Sequence, residues 1–530
     1  MSVIILFCAI VIFSCIITNK FSSKLGMPSL VFFMYLGVLF GSDGLLRLSF
    51  EDYDLTAKLC SIGLLFIIFY GGFCTKKIAD IKVNAQAILL SSVGTVLTAG
   101  FCILFCYYGL NLSFIESFLI GAVISSTDAA SVFSILRSRR LNLKYNTASL
   151  LEMESGSNDP FAYILTILGI TMLKGASATA TLPLLFKQIF FGIFFGVVIA
   201  YVALFLLKKT KLLTEGTDTI FIVAVALLSF SLADLVQGNC YLSVYITGII
   251  LGNSEIKNKL NLMHFFDGIT ALCQVVIFFL IGFLSFPHKI PEILLPAILI
   301  TIFLTFAARP LAVLITLAPF KIKWNQFIFI SSAGLRGAAS IVFAILVVSE
   351  NTNLANDLFH IVFVVALLSV SLQGSLLPFI AKKVDMIDKY SDVRKTFNDF
   401  QQESAIALNK VIVSSSHPWV GQCIKDIHFN GKALILMIIR DGKKIVPRGL
   451  TEILENDEIL IGSTYTETDI DINLCETSID DNHEWLNLEI KDICLSENNL
   501  IALIKRGEEY FVPNGTTKIQ LNDTIVFYNI

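Results

Sequence analysis

Charged residues are scarce in this chain. Of its 530 residues only 15% are Asp, Glu, Lys or Arg, whereas 55% are hydrophobic, and the mean hydropathy is +0.76. A soluble globular domain carries about 25% charged residues, so the composition excludes a wholly soluble protein. The net charge of -3 carries little information, because the basic residues are unevenly placed along the chain, and nothing in the sequence suggests a nucleic-acid partner. The composition therefore indicates a polytopic membrane protein with a soluble part.

The eleven cysteines lack the spacing of a metal site or of a disulfide framework. No CxxC pair occurs, and most of the cysteines lie inside apolar runs. The N-terminal stretch "MSVIILFCAIVIFSCIITNK" also lacks the basic region and the small-residue cleavage site of a signal peptide. We therefore expect it to be the first transmembrane helix.

Long apolar runs predict about thirteen spans, some of them short or broken. The runs at 27–41 and 240–252 are short and contain glycine, so their crossing of the bilayer is the least determined. The runs lie at 2–18, 27–41, 59–74, 85–108, 113–136, 149–173, 183–207, 219–236, 240–252, 269–286, 292–318, 326–348 and 358–380.

Basic residues concentrate in alternate loops, which predicts the orientation. The positive-inside rule places the more basic set of loops in the cytosol, so the N-terminus is outside and the C-terminal tail is cytosolic. The opposite set holds only Arg47, Lys58, Lys174 and Lys289. The cytosolic set comprises Lys20, Lys24, Lys76, Lys77, Lys82, Arg137, Arg139, Arg140, Lys144, Lys208, Lys209, Lys211, Lys257, Lys259, Lys321, Lys323, Lys382 and Lys383.

The tail contains a duplication without gaps. "HPWVGQCIKDI", beginning at His417, aligns with "HEWLNLEIKDI", beginning at His483. The same offset matches Val446, Pro447, Gly449, Thr451, Ile453, Asn456, Asp457 and Ile459 with Val512, Pro513, Gly515, Thr517, Ile519, Asn522, Asp523 and Ile525. Each copy is predicted to be a small α+β module with a short helix at "IKDI", a hairpin turn at "RDG" or "KRG", and a final strand after "ND".

The duplicated pattern resembles the RCK-C or TrkA-C modules of potassium-transport proteins. The resemblance implies that the modules bind a nucleotide or an ion and gate the membrane part; a structural role in dimerisation alone is the alternative. We expect a transmembrane exchanger domain at 1–383, a linker at 384–403, and modules at 404–465 and 466–530. A cyclic dinucleotide or an adenine nucleotide is the expected class of regulatory ligand.

Two features of the membrane part indicate an ion-binding site. "GAVISSTDAASVF" and "SSAGLRGAASIVF" place helix-breaking residues inside spans, and broken helices are tolerated only where freed backbone groups are buried or line a wet cavity. The stretch "MESGSNDPFAY" holds carboxylates inside another span, where a charge is expensive and usually functional. On a helix Ser155, Asn158 and Asp159 share a face. Because burial disfavours the charged carboxylate, Asp159 can hold either a proton or a desolvated monovalent cation, and this competition suffices for exchange.

The membrane part resembles the CPA1 group of monovalent cation/proton antiporters, and within it the NhaP2-like bacterial potassium/proton antiporters that carry TrkA-C modules. The resemblance rests on "ESGSNDP", "STDAASVFSIL", "GLRGAAS", "FFDGITALCQVVIFFLIGFLSFP", "AARPLAV" and "CYLSVYITGIILGN". It implies an NhaA-like inverted-repeat fold, a homodimer in the bacterial inner membrane, and electroneutral exchange of K⁺, or else Na⁺, for H⁺. It implies a transporter and not an enzyme, with no cofactor for the transport step.

Carried over by motif, Asp159 binds the cation and the proton, and Asn158 is its neighbour in the "ND" pair. Ser155, Thr127 and Asp128 are implied to lie where the unwound segments meet the ion site. For Asp128, capping of a half-helix is the alternative. Glu154 is implied to pair with Arg336 of "GLRG", as a structural ion pair.

Two further polar residues lie within predicted spans. Gln274 either borders the ion path or forms an interhelical hydrogen bond. Tyr70 stands in "FYGGF" where several relatives of the resembled group have an acidic residue, so the resemblance assigns it no ligand role.

Two other functions fit parts of the pattern. A regulated cation channel would also use such modules, but a TVGYG-like filter is absent from the sequence. An ion-coupled solute symporter on the same broken-helix scaffold would need a larger polar cavity than one "SNDP" cluster indicates.

Overall fold

The chain folds into two compact units, Met1–Gln402 and Glu403–Ile530. The structure is a computed structural model. It describes residues 2–387 apart from 26–27, 46, 49, 76–80, 129–130, 133–134, 137–140, 142, 177, 210–216, 255, 257–258 and 351–353, and residues 406–529 apart from 414–416, 418, 428–432, 441–442, 446, 465–473, 480–482, 484, 494–498, 507–508, 512–516 and 522. Most of the predicted linker at 384–403 lies outside the described residues.

The first unit is helical, and helical structure occurs in every apolar run that the sequence predicted as a span. In chain order the helices are α1 (Ser2–Leu25), α2 (Ser29–Phe40), α3 (Tyr53–Cys74), α4 (Ile81–Leu89), α5 (Thr95–Leu104), α6 (Phe114–Val123), α7 (Thr147–Leu173), α8 (Ala178–Lys209), α9 (Thr217–Leu235), α10 (Cys240–Gly252), α11 (Lys259–Phe283), α12 (Ile290–Phe303), α13 (Arg309–Leu317), α14 (Trp324–Ser332), α15 (Ala338–Ser349), α16 (Leu358–Leu368) and α17 (Gly374–Lys383). Single π-helical turns join α4 to α5, α12 to α13 and α16 to α17.

Seven helical stretches among the described residues are long and apolar enough to cross a bilayer. They are Tyr53–Cys74, Lys82–Gly109, Pro183–Leu207, Thr217–Leu235, Asn261–Phe283, Pro287–Phe320 and Leu358–Lys383. The short helices α2 and α10, which match the runs at 27–41 and 240–252, are also apolar. A total of about thirteen crossings stays a prediction.

Both predicted helix breaks are present. Helix α6 ends at Val123, residues 124–128 are not helical, and helical structure occurs again at 131–132. Helix α14 ends at Ser332, residues 333–337 are not helical, and α15 begins at Ala338. Unpaired carbonyls at the end of one half-helix and unpaired N–H groups at the start of the next therefore lie inside the protein, where they need partners.

Helix α10 is packed tightly into the unit. It lies against α3, α8, α9 and α7. At Gly248 the backbone of α10 approaches α3 so closely that a Cβ atom would lie 2.5 Å from the carbonyl oxygen of Phe69. Only glycine fits at that position, so this short helix is held firmly by its neighbours.

The second unit contains two small modules of the same topology, which confirms the duplication. The first sheet has the order β1-β4-β2-β3 and the second β5-β8-β6-β7, with all neighbouring strands antiparallel. The strands are β1 (Ile406–Ile412), β2 (Ala433–Arg440), β3 (Lys443–Ile445), β4 (Glu458–Thr464), β5 (Leu474–Ser478), β6 (Asn499–Arg506), β7 (Glu509–Phe511) and β8 (Thr524–Asn529). The predicted "IKDI" helices are single 3₁₀ turns, Ile424–Asp426 and Ile490–Asp492.

Among the described residues of each module, an arginine–aspartate pair at equivalent positions stabilises the fold. Arg440 Nε and Nη2 donate to the two carboxylate oxygens of the buried Asp457, both at 2.8 Å. Arg506 binds Asp523 in the same way in the second copy. The guanidinium of Arg440 holds the pKa of Asp457 below its usual value. The aspartates of the repeated "ND" therefore have a structural role that the sequence pattern alone did not identify.

Candidate functional site

Helix α7 presents one polar face to the interrupted segment at 124–128. The Ser155 hydroxyl donates to the carbonyl oxygen of Thr127 at 2.7 Å, and Asn158 Nδ2 donates to the Thr127 hydroxyl. The Ser126 hydroxyl donates to Asp159 Oδ1. The structure thus brings together the residues of the predicted ion site and adds Ser126, which lies within the quoted motif but was not selected from it.

The carboxylate of Asp159 and the amide of Asn158 are removed from bulk solvent. Asp159 is 8% exposed and Asn158 is fully buried. The Asn158 Oδ1 atom has no hydrogen-bond partner among the described residues. Carboxylate and amide oxygens are ligands for hard cations, so Asp159 and Asn158 are the residues here that could hold a monovalent cation.

The two helix breaks cross at this site. Arg336, in the second break, is fully buried and its Nη1 donates to the carbonyl oxygens of Ser125 and Ser126 at 2.8 and 2.7 Å. The backbone N–H of Asp128 donates to the Leu335 carbonyl oxygen at 2.8 Å. The guanidinium thus satisfies carbonyls that the end of α6 leaves without helical partners.

Asp128 occupies the position of a helix cap. Its carboxylate accepts hydrogen bonds from the backbone N–H of Ser131 at 3.3 Å and from the Ser131 hydroxyl at 2.6 Å. The carboxylate also lies against Gly337, where an added Cβ atom would collide with it. This geometry favours the capping alternative for Asp128 and explains why glycine precedes α15.

The predicted pairing of Glu154 with Arg336 is wrong in this structure. Glu154 pairs instead with Arg309, at the start of α13: Arg309 Nη2 lies 2.6 Å from Glu154 Oε1 and donates to Oε2 at 2.8 Å. Both side chains are almost fully buried. Arg336 is directed to the backbone of the first break, and its Nε and Nη2 atoms have no hydrogen-bond partner among the described residues. Arg309 could have been found from the sequence, because it is the charged residue of the motif "AARPLAV" inside a predicted span.

Gln274 and Tyr70 lie on other helices. Gln274 is half-buried on α11, which packs against α2 and α3. Tyr70 is half-buried on α3 and packs against an apolar cluster that includes Phe69 and Phe266. A role of Gln274 beside the ion path stays a prediction.

Comparison with known proteins identifies both parts of the chain. Residues 9–383 match the transmembrane region of the sodium/hydrogen exchanger family, and residues 410–463 and 475–528 each match the TrkA-C domain. The K⁺/H⁺ antiporter NhaP of Alkalimonas amylolytica is 32% identical over 455 residues, which cover 84% of this chain and 78% of the relative. The K⁺/H⁺ antiporter NhaP2 of Shewanella sp. (strain ANA-3) is 30% identical over 457 residues, with the same coverage.

A solved structure supports the fold of the membrane unit. The sodium proton antiporter MjNhaP1 from Methanocaldococcus jannaschii superimposes with a TM-score of 0.63 at 22% identity, over 72% of this chain and 99% of that protein. The predicted relationship to cation/proton antiporters with TrkA-C modules is confirmed by the family matches and by the two K⁺/H⁺ antiporter relatives. The chain belongs to the sodium/hydrogen exchanger family, with two TrkA-C domains following its transmembrane region.

Proposed function

We propose that the protein exchanges a monovalent cation for protons across the inner membrane, K⁺ in the first place and Na⁺ as the alternative, with Asp159 as the common binding group. The observation that carries this proposal is the buried contact of Asp159 and Asn158 with the first helix break. The relatives named as K⁺/H⁺ antiporters support the choice of K⁺.

Exchange follows from competition at one carboxylate. Ionised Asp159 binds the cation, and Asn158 Oδ1, which has no hydrogen-bond partner in the part of the chain that the structure describes, supplies a second oxygen. Protonated Asp159 has no net charge to attract a cation, so proton and cation exclude each other. If the site opens alternately to each side only when one of them is bound, each ion crosses in exchange for the other. One cation for one proton makes the exchange electroneutral.

The architecture is proposed to follow the resembled transporters. The two breaks, which cross at Asp128 and Leu335, fit an NhaA-like inverted repeat in which half-helix ends meet at the ion site. The basic loops support an outer N-terminus and cytosolic modules. A homodimer is proposed from the resemblance.

The cytosolic modules are proposed to regulate exchange through α7, the helix that bears Asp159. Contacts within the membrane unit connect the end of this unit to the start of α7. The segment that follows α17 forms an antiparallel bridge, Leu143 with Ile387, to the loop that leads into α7. Lys144 donates its backbone N–H to Met386 at 2.9 Å and pairs with Asp385 at 2.7 Å. The chain that continues to the modules is thus attached beside the start of the helix that bears Asp159.

The experiment for the transport function uses purified protein in vesicles with a pH-sensitive dye. Adding K⁺ to vesicles with an acidic interior is expected to release the trapped protons, and adding Na⁺ is expected to do so at higher concentration. Proton movement that requires a membrane potential would contradict electroneutral exchange. A cation flux without proton movement would favour a channel.

Deleting the residues from about 395 onward is expected to leave exchange intact and to remove the response to cytosolic ligands, because every residue of the site lies before the deletion. Exchange is measured for full-length and truncated protein with a cyclic dinucleotide and with an adenine nucleotide. A truncated protein that keeps its ligand response would place the regulatory site in the membrane unit. A folded but inactive one would make the modules a required structural part.

A further inference from the structure

The motif "CYLSVYITGIILGN" contributes no residue to the ion site described above, yet the residue before it is bonded to the carrier helix. Asn239 is fully buried and precedes α10. Its Oδ1 accepts from the backbone N–H of Leu242 at 2.9 Å and caps α10, and its own N–H donates to Gln188 at 3.0 Å. Its Nδ2 donates to the carbonyl oxygen of Pro160 at 2.8 Å. One side chain therefore joins α10 to α7, and its backbone is held by α8.

The point of attachment is the residue next to Asp159. Proline has no N–H, so Pro160 cannot complete the helical hydrogen bond to the carbonyl four residues earlier, and its ring crowds that turn. Helix α7 therefore lacks one backbone hydrogen bond in the turn that contains Asp159. An external bond to the Pro160 carbonyl restricts the direction of the peptide at this weak turn.

Helix α10 supports α7 on both sides of this bond. Tyr241 packs edge-on against Tyr163, with ring centroids 4.9 Å apart. One turn before Asp159, a Cβ atom on Gly156 would lie 3.0 Å from Tyr245 Cε2, so the tyrosine ring rests on the helix backbone there. The contacts place α10 along the segment of α7 that carries Ser155, Asn158 and Asp159.

We propose that Asn239 is a positioning residue for the cation site. By holding the Pro160 peptide, it keeps the Asp159 carboxylate on Ser126 and the Asn158 amide on Thr127, so that both oxygens are available to the cation without reorganisation. The proposal rests on the proposed function of Asp159 and adds a residue outside the site to it. A bond that is only structural would affect stability and leave the affinity for the cation unchanged.

The test replaces Asn239 with Ser. Serine retains the capping oxygen for α10 and removes the Nδ2 donor to Pro160. The apparent KM for K⁺ in proteoliposomes is expected to rise about tenfold, with the maximal rate changed less, because a loosened site loses the affinity contributed by about one well-placed hydrogen bond.

A matched control is Gln326→Met. Gln326 is buried on α14, and its Nε2 donates to the Thr147 hydroxyl at 3.2 Å, at the start of the same helix α7 and about three turns from Asp159. Its loss removes a buried bond to α7 without touching the weak turn. We expect the KM of this variant to equal that of the wild type.

The outcomes separate the two proposals. A folded Asn239→Ser variant with the wild-type KM, or an equal rise in Gln326→Met, would overturn the positioning role. If Asn239→Ser does not fold, Asn239→Asp, which keeps the size and the capping oxygen, takes its place. Failure of both to fold would assign Asn239 a structural role only and would also overturn the proposal. Wild-type vesicles that exchange no cation for protons would instead contradict the proposed function itself.

Discussion

Asp159→Asn is expected to abolish exchange of K⁺ or Na⁺ for H⁺, to below about 1% of the wild-type rate, while the protein still folds. Asparagine has nearly the same size as aspartate and can still accept the hydrogen bond from Ser126. It cannot ionise, however, so it neither attracts the cation nor carries the proton. The rate is measured by dye in vesicles after K⁺ and Na⁺ pulses, and folding by size-exclusion chromatography and thermal unfolding.

Asp234→Asn serves as the control for this substitution. Asp234 is an exposed carboxylate at the end of α9. Its neutralisation should leave exchange near the wild-type rate, which separates the effect of the carrier from that of losing any one acid. Clear exchange of either cation by Asp159→Asn would refute the assignment of the carrier.

The second large effect is expected at the buried pair of Glu154 and Arg309. Replacing either residue alone by an apolar one of similar volume, Glu154→Leu or Arg309→Met, leaves one buried charge without its partner and should destabilise the protein by about 3 to 5 kcal/mol. The double variant should recover at least half of that loss, since neither charge remains. Thermal unfolding in detergent measures all four proteins of the cycle.

Arg336 provides the comparison that tests the corrected pairing. Arg336→Met removes the donor to the Ser125 and Ser126 carbonyls and leaves the Glu154–Arg309 pair in place. Combining it with Glu154→Leu should recover less of the lost stability than combining Arg309→Met with Glu154→Leu, because Glu154 is paired with Arg309. Rescue in the Glu154 and Arg336 double variant, with additivity for Glu154 and Arg309, would restore the pairing expected from the sequence.

Local sequence patterns predicted the helices, the two helix breaks and the duplicated modules. Apolar runs predicted the helices because a segment within the bilayer must satisfy its backbone hydrogen bonds internally, and a helix does so. The two breaks were readable because Gly, Ser, Thr and Asp interrupt otherwise apolar spans. The duplication in the tail needed only the alignment of the chain with itself, and the paired sheets of identical strand order followed from it.

The sequence did not predict which buried charges pair with each other. Glu154 has two buried arginines on distant segments, and the choice depends on how the two breaks cross. Arg336 is held by the carbonyls at the end of α6, so Arg309 remains for Glu154. Ser126 and Asn239 were missed because their hydroxyl and amide groups are common side chains whose role depends on what lies opposite them. Sequence could indicate the carrier, because a carboxylate within a span is rare, but not what holds it.

The most direct test of the central claim is the dependence of the apparent KM for K⁺ on pH in wild-type vesicles. If proton and cation compete for Asp159 alone, the KM should rise about tenfold for each pH unit below the range in which that carboxylate ionises, while the maximal rate at saturating K⁺ is restored. A KM that stays constant while the maximal rate falls with pH would show that the proton acts elsewhere, and it would contradict exchange by competition at one carboxylate.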